Sequence, residues 1–147
     1  MVFPLSFDSF VNLELSAKRE LTDSELKSLE NNIELVRDAV IATTAFARAK
    51  GIGGHTGGPY DIVPEVLIVD ALRDGGEAIH DEFFDEAGHR VATQYLLSAL
   101  YGHLSPNQLR NYRVGHSCLP GHPELGLTPG VKFSSGRLGH MWPYVNI

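Results

Sequence analysis

The sequence predicts a mostly α-helical fold with few or no strands, in a single domain of 147 residues. Three observations carry that reading. Helix-capping signals and three-four apolar spacing recur from Thr22 to Arg113. Strand candidates are nearly absent. The stretch 114–130 holds seven Gly or Pro in seventeen residues, too many for a regular element.

The first helix is expected from about Thr22 to Lys50. Thr22-Asp23-Ser24-Glu25 reads as a capping box, in which a hydroxyl and a carboxylate satisfy free amides of the first turn. Leu26, Leu29, Ile33, Val36 and Val40 then form one apolar stripe. From Ala39 to Ala49 the residues are apolar on most sides, so this half of the helix is expected to be buried all round. Gly51 stops it. A glycine loop follows, Gly51-Ile52-Gly53-Gly54-His55-Thr56-Gly57-Gly58-Pro59.

A second helix is expected from Pro64 through Leu72, since proline suits a first helical turn. A buried strand over Val66–Val69 is the alternative, which Pro64 and the flanking carboxylates disfavour. Residues 74–86 hold six acids and no base, with room for a short strand near Glu82–Asp85. A third helix is expected over His89–Tyr101, turning Val91, Tyr95, Leu96, Ala99 and Leu100 inward. Ser105-Pro106 opens a short helix to about Arg113, and a last one is expected to begin near Leu138. The chain stops on Met141-Trp142-Pro143-Tyr144-Val145-Asn146-Ile147, an apolar stretch without a cap, which reads as the front of something longer.

Composition excludes several classes. Hydrophobic residues make up 43% and charged ones 20%, as in a globular domain. One cysteine, Cys118, excludes an intrachain disulfide framework and a CxxC zinc module. A formal net charge of −6 argues against nucleic acid and anionic membrane as partners. No apolar run approaches the ~18 residues of a membrane span, and the N-terminus lacks a targeting pattern, so a cytoplasmic protein is expected.

Histidine is the unusual feature. Six of the seven follow a glycine: His55, His89, His103, His116, His122 and His140. Glycine lets backbone approach a ligand closely, and histidine moves protons near neutral pH. The pattern suggests a site assembled from loops at helix ends, against the plainer reading of surface histidines in turns. The loop 51–58 lacks the Gly-Lys-Ser/Thr of a phosphate loop and is read as a helix-to-helix turn. His116, Cys118 and His122 could hold zinc only with a fourth ligand from afar. The acids of 74–86, with His80 and His89, are read as a solvated face. No Gly-x-Ser-x-Gly elbow supports a serine hydrolase.

The glycine-flanked histidines fall in a recognisable order. Gly-His-Thr-Gly-Gly-Pro (54–59) is followed by Ala-Gly-His (87–89), Leu-Pro-Gly-His-Pro-Glu (119–124), Pro-Gly-Val (129–131) and Ser-Ser-Gly-Arg-Leu-Gly-His (134–140). The series resembles the N-terminal, diphosphate-binding domain of transketolase and its thiamine-diphosphate-dependent relatives, over about residues 35–147. The resemblance implies an α/β thiamine-diphosphate-binding fold, incomplete at its C-terminal end, in residues 22–147, with 1–21 as an N-terminal extension. It implies His55 and His122 as catalytic residues, the first lining the substrate channel and the second close to the cofactor's reactive carbon. It implies His89, Gly136, Leu138 and Gly139 as cofactor-binding residues and gives Arg113 a neighbouring place. The implied cofactors are thiamine diphosphate and Mg²⁺. The implied reaction transfers a two-carbon ketol unit between sugar phosphates, in a homodimer or with the missing domains supplied by another chain.

Departures limit that expectation. The family's Gly-Asp-Gly…Asn metal motif should follow Gly139, and Asp74-Gly75-Gly76 lies too far upstream to replace it; no metal ligand is assigned here. The glutamate that activates the cofactor belongs to a later domain, and most of the central sheet is missing. Thr56, Glu86-Ala87, Arg137 and His140 also differ from the pattern. The chain alone is therefore expected to be inactive. The alternatives are a non-catalytic module that pairs with a full-length relative, or a small histidine-rich zinc-binding protein.

Overall fold

A computed structural model of the chain describes residues 2–80, 83, 85–136 and 138. In order it contains α1 (Asp23–Ala49), α2 (Gly57–Asp61), α3 (Val63–Asp74), α4 (Val91–Leu100) and a 3₁₀ helix (Pro106–Asn111). Among the described residues there is no strand. Phe83 and Asp85 are irregular, while Glu82 and Phe84 of the expected short strand lie outside the described residues. The helix expected from Leu138 onward also lies outside them, apart from Leu138 itself.

The capping box at the start of α1 forms as its residues dictate. The Glu25 amide donates to Thr22 Oγ1 at 3.2 Å, and the Thr22 amide donates to Glu25 Oε2 at 2.8 Å. Arg19 clamps the same carboxylate from outside, and its hydrogen bonds hold the Glu25 carboxyl down to about 2. Pro64 sits in the first turn of α3. The 3₁₀ helix opens at Ser105, whose amide donates to Gln108 Oε1 at 2.9 Å. It is tighter and shorter than the α-helix expected there. The five-residue α2 was not expected at all, because two glycines and a proline disfavour a helix interior. The Arg37 guanidinium, 4.5 Å from the Tyr60 ring centroid and hydrogen-bonded to the Tyr60 carbonyl, ties α2 to α1.

The centre of the fold differs from the expectation. The second half of α1 is not buried all round: Ile41 is 48% exposed, and Ala45 and Ala49 also face out. The helix enclosed on every side is α4, where each residue from Val91 to Ala99 is buried. α1, α2 and the 3₁₀ helix pack against this segment, α3 packs on α1 and α2, and Tyr95, Leu96, Leu109, Tyr112 and Leu119 fill the core between them. An apolar stretch in α1 could supply a surface for α4, but only a helix with neighbours on all sides is enclosed. Those neighbours come from distant sequence.

Residues 2–21 strap the outside of this bundle. Asn32, buried in α1, accepts from the Val11 amide at 3.0 Å and donates to the Val11 carbonyl at 2.8 Å. The Leu15 amide donates to the Ala71 carbonyl at 2.8 Å. Gly75 lies directly beneath, and a Cβ there would fall 1.8 Å from the Leu15 carbonyl oxygen, so glycine is what permits the crossing. Farther back, the Phe3 amide donates to Asn107 Oδ1 at 2.9 Å.

Asp70 is a buried carboxylate on α3. It pairs with Arg73 at 2.9 Å and accepts a hydrogen bond from the Tyr101 hydroxyl. Burial raises its pKa from 3.8 to about 6, with Asp74 pushing the same way and Arg73 opposing. The native state thus holds this proton more tightly than the unfolded chain does. Its contribution to stability falls as pH climbs from about 4 to about 6, and stays lower above. Asp70→Asn should remove that decline, by an amount on the order of 1–2 kcal/mol between pH 4 and 6.5. Urea unfolding of both chains across that range checks it; a gap between them that does not change with pH would contradict it.

Candidate functional site

Polar side chains inside α4 position the glycine-histidine loops. Burial favours a partner for each, and those of Thr93 and Tyr95 are carbonyls of α2 and of the loop before His122. Thr93 Oγ1 donates to the Pro59 carbonyl at 2.6 Å, at the end of the loop that carries His55. The Tyr95 hydroxyl donates to the Pro120 carbonyl at 2.8 Å, two residues before His122. Burial pushes the Tyr95 phenol well above its ordinary pKa, so it remains a donor. At the N-terminal end of α4, the Asp85 carboxylate accepts from the Arg90 amide and closes the turn that carries His89.

The loops converge as a result. The His55 and His89 rings meet edge to face, with centroids 4.9 Å apart. His122 lies over Gly88, where a Cβ would fall 2.2 Å from His122 Cδ2. Gly136 reaches the same ring from another loop, its would-be Cβ 3.0 Å from Cδ2. Its amide donates to the Glu86 carbonyl at 3.1 Å, and the Ser135 amide donates to the Pro123 carbonyl at 3.1 Å. Residues from four loops are thereby joined: His55, His89, His122 and Gly136. Leu138 is 69% exposed, and Gly139 lies outside the described residues.

Two arginines border the cluster. The Arg113 guanidinium packs on Gly121, with a would-be Cβ 3.3 Å from Nε, while its Cδ approaches Gly54 beside His55. Arg113 adopts φ 59, a left-handed conformation uncommon outside glycine, and its amide is held by the Leu119 carbonyl at 2.7 Å. Arg90 packs on Gly58. The resemblance pointed to Arg113. Arg90 had no motif to mark it. Tyr112 closes the floor beneath Gly54, and burial raises its phenol pKa while the Arg113 charge opposes.

This donor set suits an anion that also carries hydroxyls. His55, His89 and His122 are exposed, and a Cβ on Gly53 or Gly57 would point into open space, so a bulky group can approach the backbone beside the rings. Arg90 and Arg113 supply positive charge at the edge. A divalent metal is served less well. Among the described residues no three His, Cys, Asp or Glu side chains converge as a metal site, and His116, Cys118 and His122 are not gathered.

The structure is thus a helical lobe that gathers glycine-flanked histidines and two arginines at one end. The particular family follows from comparison. Residues 32–142 match the family described as transketolase, thiamine diphosphate binding domain, and the chain belongs to it. Transketolase 2 of Escherichia coli is 38% identical over 109 residues, 69% of this chain and 16% of that protein. The chromosomal transketolase of Cupriavidus necator is 40% identical over 106 residues, 67% of this chain and 16% of that protein. One subunit of the apulose-4-phosphate transketolase of Actinobacillus succinogenes is 32% identical over 122 residues, 78% of this chain and 43% of that protein. The match thus spans 16% of each of the first two relatives. No solved structure matches. No helix among the described residues is long and apolar enough to cross a membrane.

Gly88 is the tightest joint in the cluster, with φ +67 as well as His122 packed on it. Gly88→Ala should displace the His122 ring and cost about 1–3 kcal/mol of stability. The His122 ring-proton NMR signals and the urea midpoint report both effects. Unchanged His122 signals in the folded variant would show that the contact is not maintained.

Proposed function

We propose that this chain supplies one side of the cofactor and sugar-phosphate site of a transketolase, and that residues outside the chain complete it. The observation that carries the proposal is the convergence of His55, His89 and His122 from three glycine turns, with Gly136 against His122. In this reading His89 and Gly136, with Leu138 and Gly139, bind thiamine diphosphate. The two arginines offset negative charge at the rim.

Thiamine diphosphate, held by His89, Gly136, Leu138 and Gly139, would supply the nucleophilic carbon that transfer of a two-carbon ketol unit from a ketose to an aldose requires. His55 and His122 donate protons to, and accept them from, the sugar hydroxyl and carbonyl oxygens as charge develops there. Their loops are anchored through Pro59 and Pro120 to one buried helix, which keeps the two rings in register. The magnesium ligands, the strands of an α/β fold and the activating glutamate are assigned to the residues that complete the site. The partner is a second copy of a complete enzyme or a complementary chain. The Actinobacillus relative is named as one subunit of its enzyme and is matched over 43% of its length, which favours the complementary chain.

Incubated with a ketose phosphate, an aldose phosphate, thiamine diphosphate and Mg²⁺, the 147-residue chain is expected to show no turnover; turnover would refute the need for completion. In an enzyme completed with the remaining transketolase domains, His122→Ala should lower kcat by about 10²-fold or more while the circular dichroism spectrum is preserved. Unchanged kcat would remove His122 from the site.

A further inference from the structure

His55 stands in a segment with little packing of its own. Residues 51–58 hold five glycines, and a Cβ on Gly51, Gly53 or Gly57 would meet nothing within 4 Å. Such a run has wide conformational freedom that something else must restrict. The segment is pinned at its start, where the Ile52 amide donates to the Ala47 carbonyl at 3.0 Å. It is pinned again just past its end, where Thr93 of α4 holds the Pro59 carbonyl.

Between those pins, among the described residues, one side-chain hydrogen bond reaches back into the fold. Thr56 Oγ1 donates to Thr44 Oγ1 at 3.1 Å, across twelve positions. Thr44 lies in α1 and is 7% exposed. Its hydroxyl stands 3.0 Å from the Val40 carbonyl and 3.1 Å from the Ile41 carbonyl. A hydroxyl has one proton to give. Thr44 gives it to carbonyls of its own helix, so toward Thr56 it accepts, and the direction of the pair is fixed. Thr56 immediately precedes α2, a place where threonine ordinarily caps the helix with its side-chain oxygen, yet no such bond forms. The hydroxyl is committed to α1 instead. Position 56 is also one at which the sequence departs from the family pattern, so the resemblance assigns it no role.

We propose that Thr56 is a positioning residue for His55: its hydrogen bond to Thr44 sets the backbone from which the His55 ring meets His89. This role rests on the assignment of His55 to proton transfer proposed above. A glycine run offers the ring many directions, and a bond at the adjacent residue removes most of them. His122 belongs to a different loop, anchored through Pro120, so the effect is confined to His55.

The full chain, with labelled histidines, carries the first test. Thr56→Val keeps the side chain's shape and removes its hydroxyl. It should shift the His55 ring-proton NMR signals and abolish the nuclear Overhauser effect between the His55 and His89 rings, with the His122 signals in place. Thr56→Ser should restore the parent spectrum. Thr44→Val should reproduce the loss, and the two valines together should add nothing further. Should Thr44→Val not fold, Thr56→Val and Thr56→Ser decide the matter. Unchanged His55 signals in Thr56→Val overturn the proposal. So does an equal displacement of the His122 signals, which marks a general loosening. In an enzyme completed with the remaining transketolase domains, Thr56→Val should lower kcat about five- to tenfold with KM unchanged, and Thr56→Ser should stay within about twofold of the parent. Parent-level kcat in Thr56→Val beside an impaired His55→Ala overturns the proposal alone. Parent-level kcat in His55→Ala refutes the reading of the site itself, and the role of Thr56 falls with it.

Discussion

The burial of α4 on every side is the constraint from which the rest of the structure follows. A helix satisfies its own backbone, but Thr93, Gln94 and Tyr95 bring polar side-chain atoms into a place water does not reach. Their partners are carbonyls of α2, at Pro59, and of two separate loops, at Phe83 and Pro120. Each loop would otherwise be free to choose among many conformations. One enclosed helix therefore does two tasks: it fills the core and sets the positions of loops distant in sequence. The aliphatic side chains of α4 could be exchanged for others of like volume with modest effect, but the polar ones could not.

Glycine and histidine then divide the labour at the end of the bundle. The glycines are functional by what they lack. Gly88 and Gly136 let the His122 ring lie against backbone, and Gly121 lets the Arg113 guanidinium do the same. The rings are left exposed on their other side. A flat imidazole backed by main chain has few rotamers open to it, so a group of this kind is held before any ligand arrives. Arg90 and Arg113 stand beside the rings, in turns that also carry Asp85, Glu86 and Glu124.

Local signals were legible in the sequence. The Thr22–Glu25 box, the proline opening α3 and the Ser105-Pro106 start each involve residues within one turn of one another, and each appears at the expected place. The glycine-histidine turns were legible as a set, and the family they indicate is the one the chain belongs to. Burial was less legible. Ala39–Ala49 is about as apolar as Val91–Leu100, yet α4 is the enclosed helix, because enclosure depends on what packs against a segment and not only on its own composition. The pairing of α4 hydroxyls with loop carbonyls left no trace in spacing, since Thr93 and Pro59 are 34 residues apart. Arg90 was invisible for the same reason: its place beside Gly58 is set by tertiary packing.

The strap of residues 2–21 bears on the order in which the molecule assembles. Its hydrogen bonds reach Asn32, Ala71 and finally Asn107, the last from Phe3 across 104 positions. None of these acceptors is in place until the helix that carries it has docked, and closing so long a loop is entropically costly. The strap is thus among the last segments to settle. Until the helices beneath the strap have docked, the aromatic rings of Phe3, Phe7 and Phe10 stay without their native cover, and the folding chain passes through a stage at which this segment is its most adhesive.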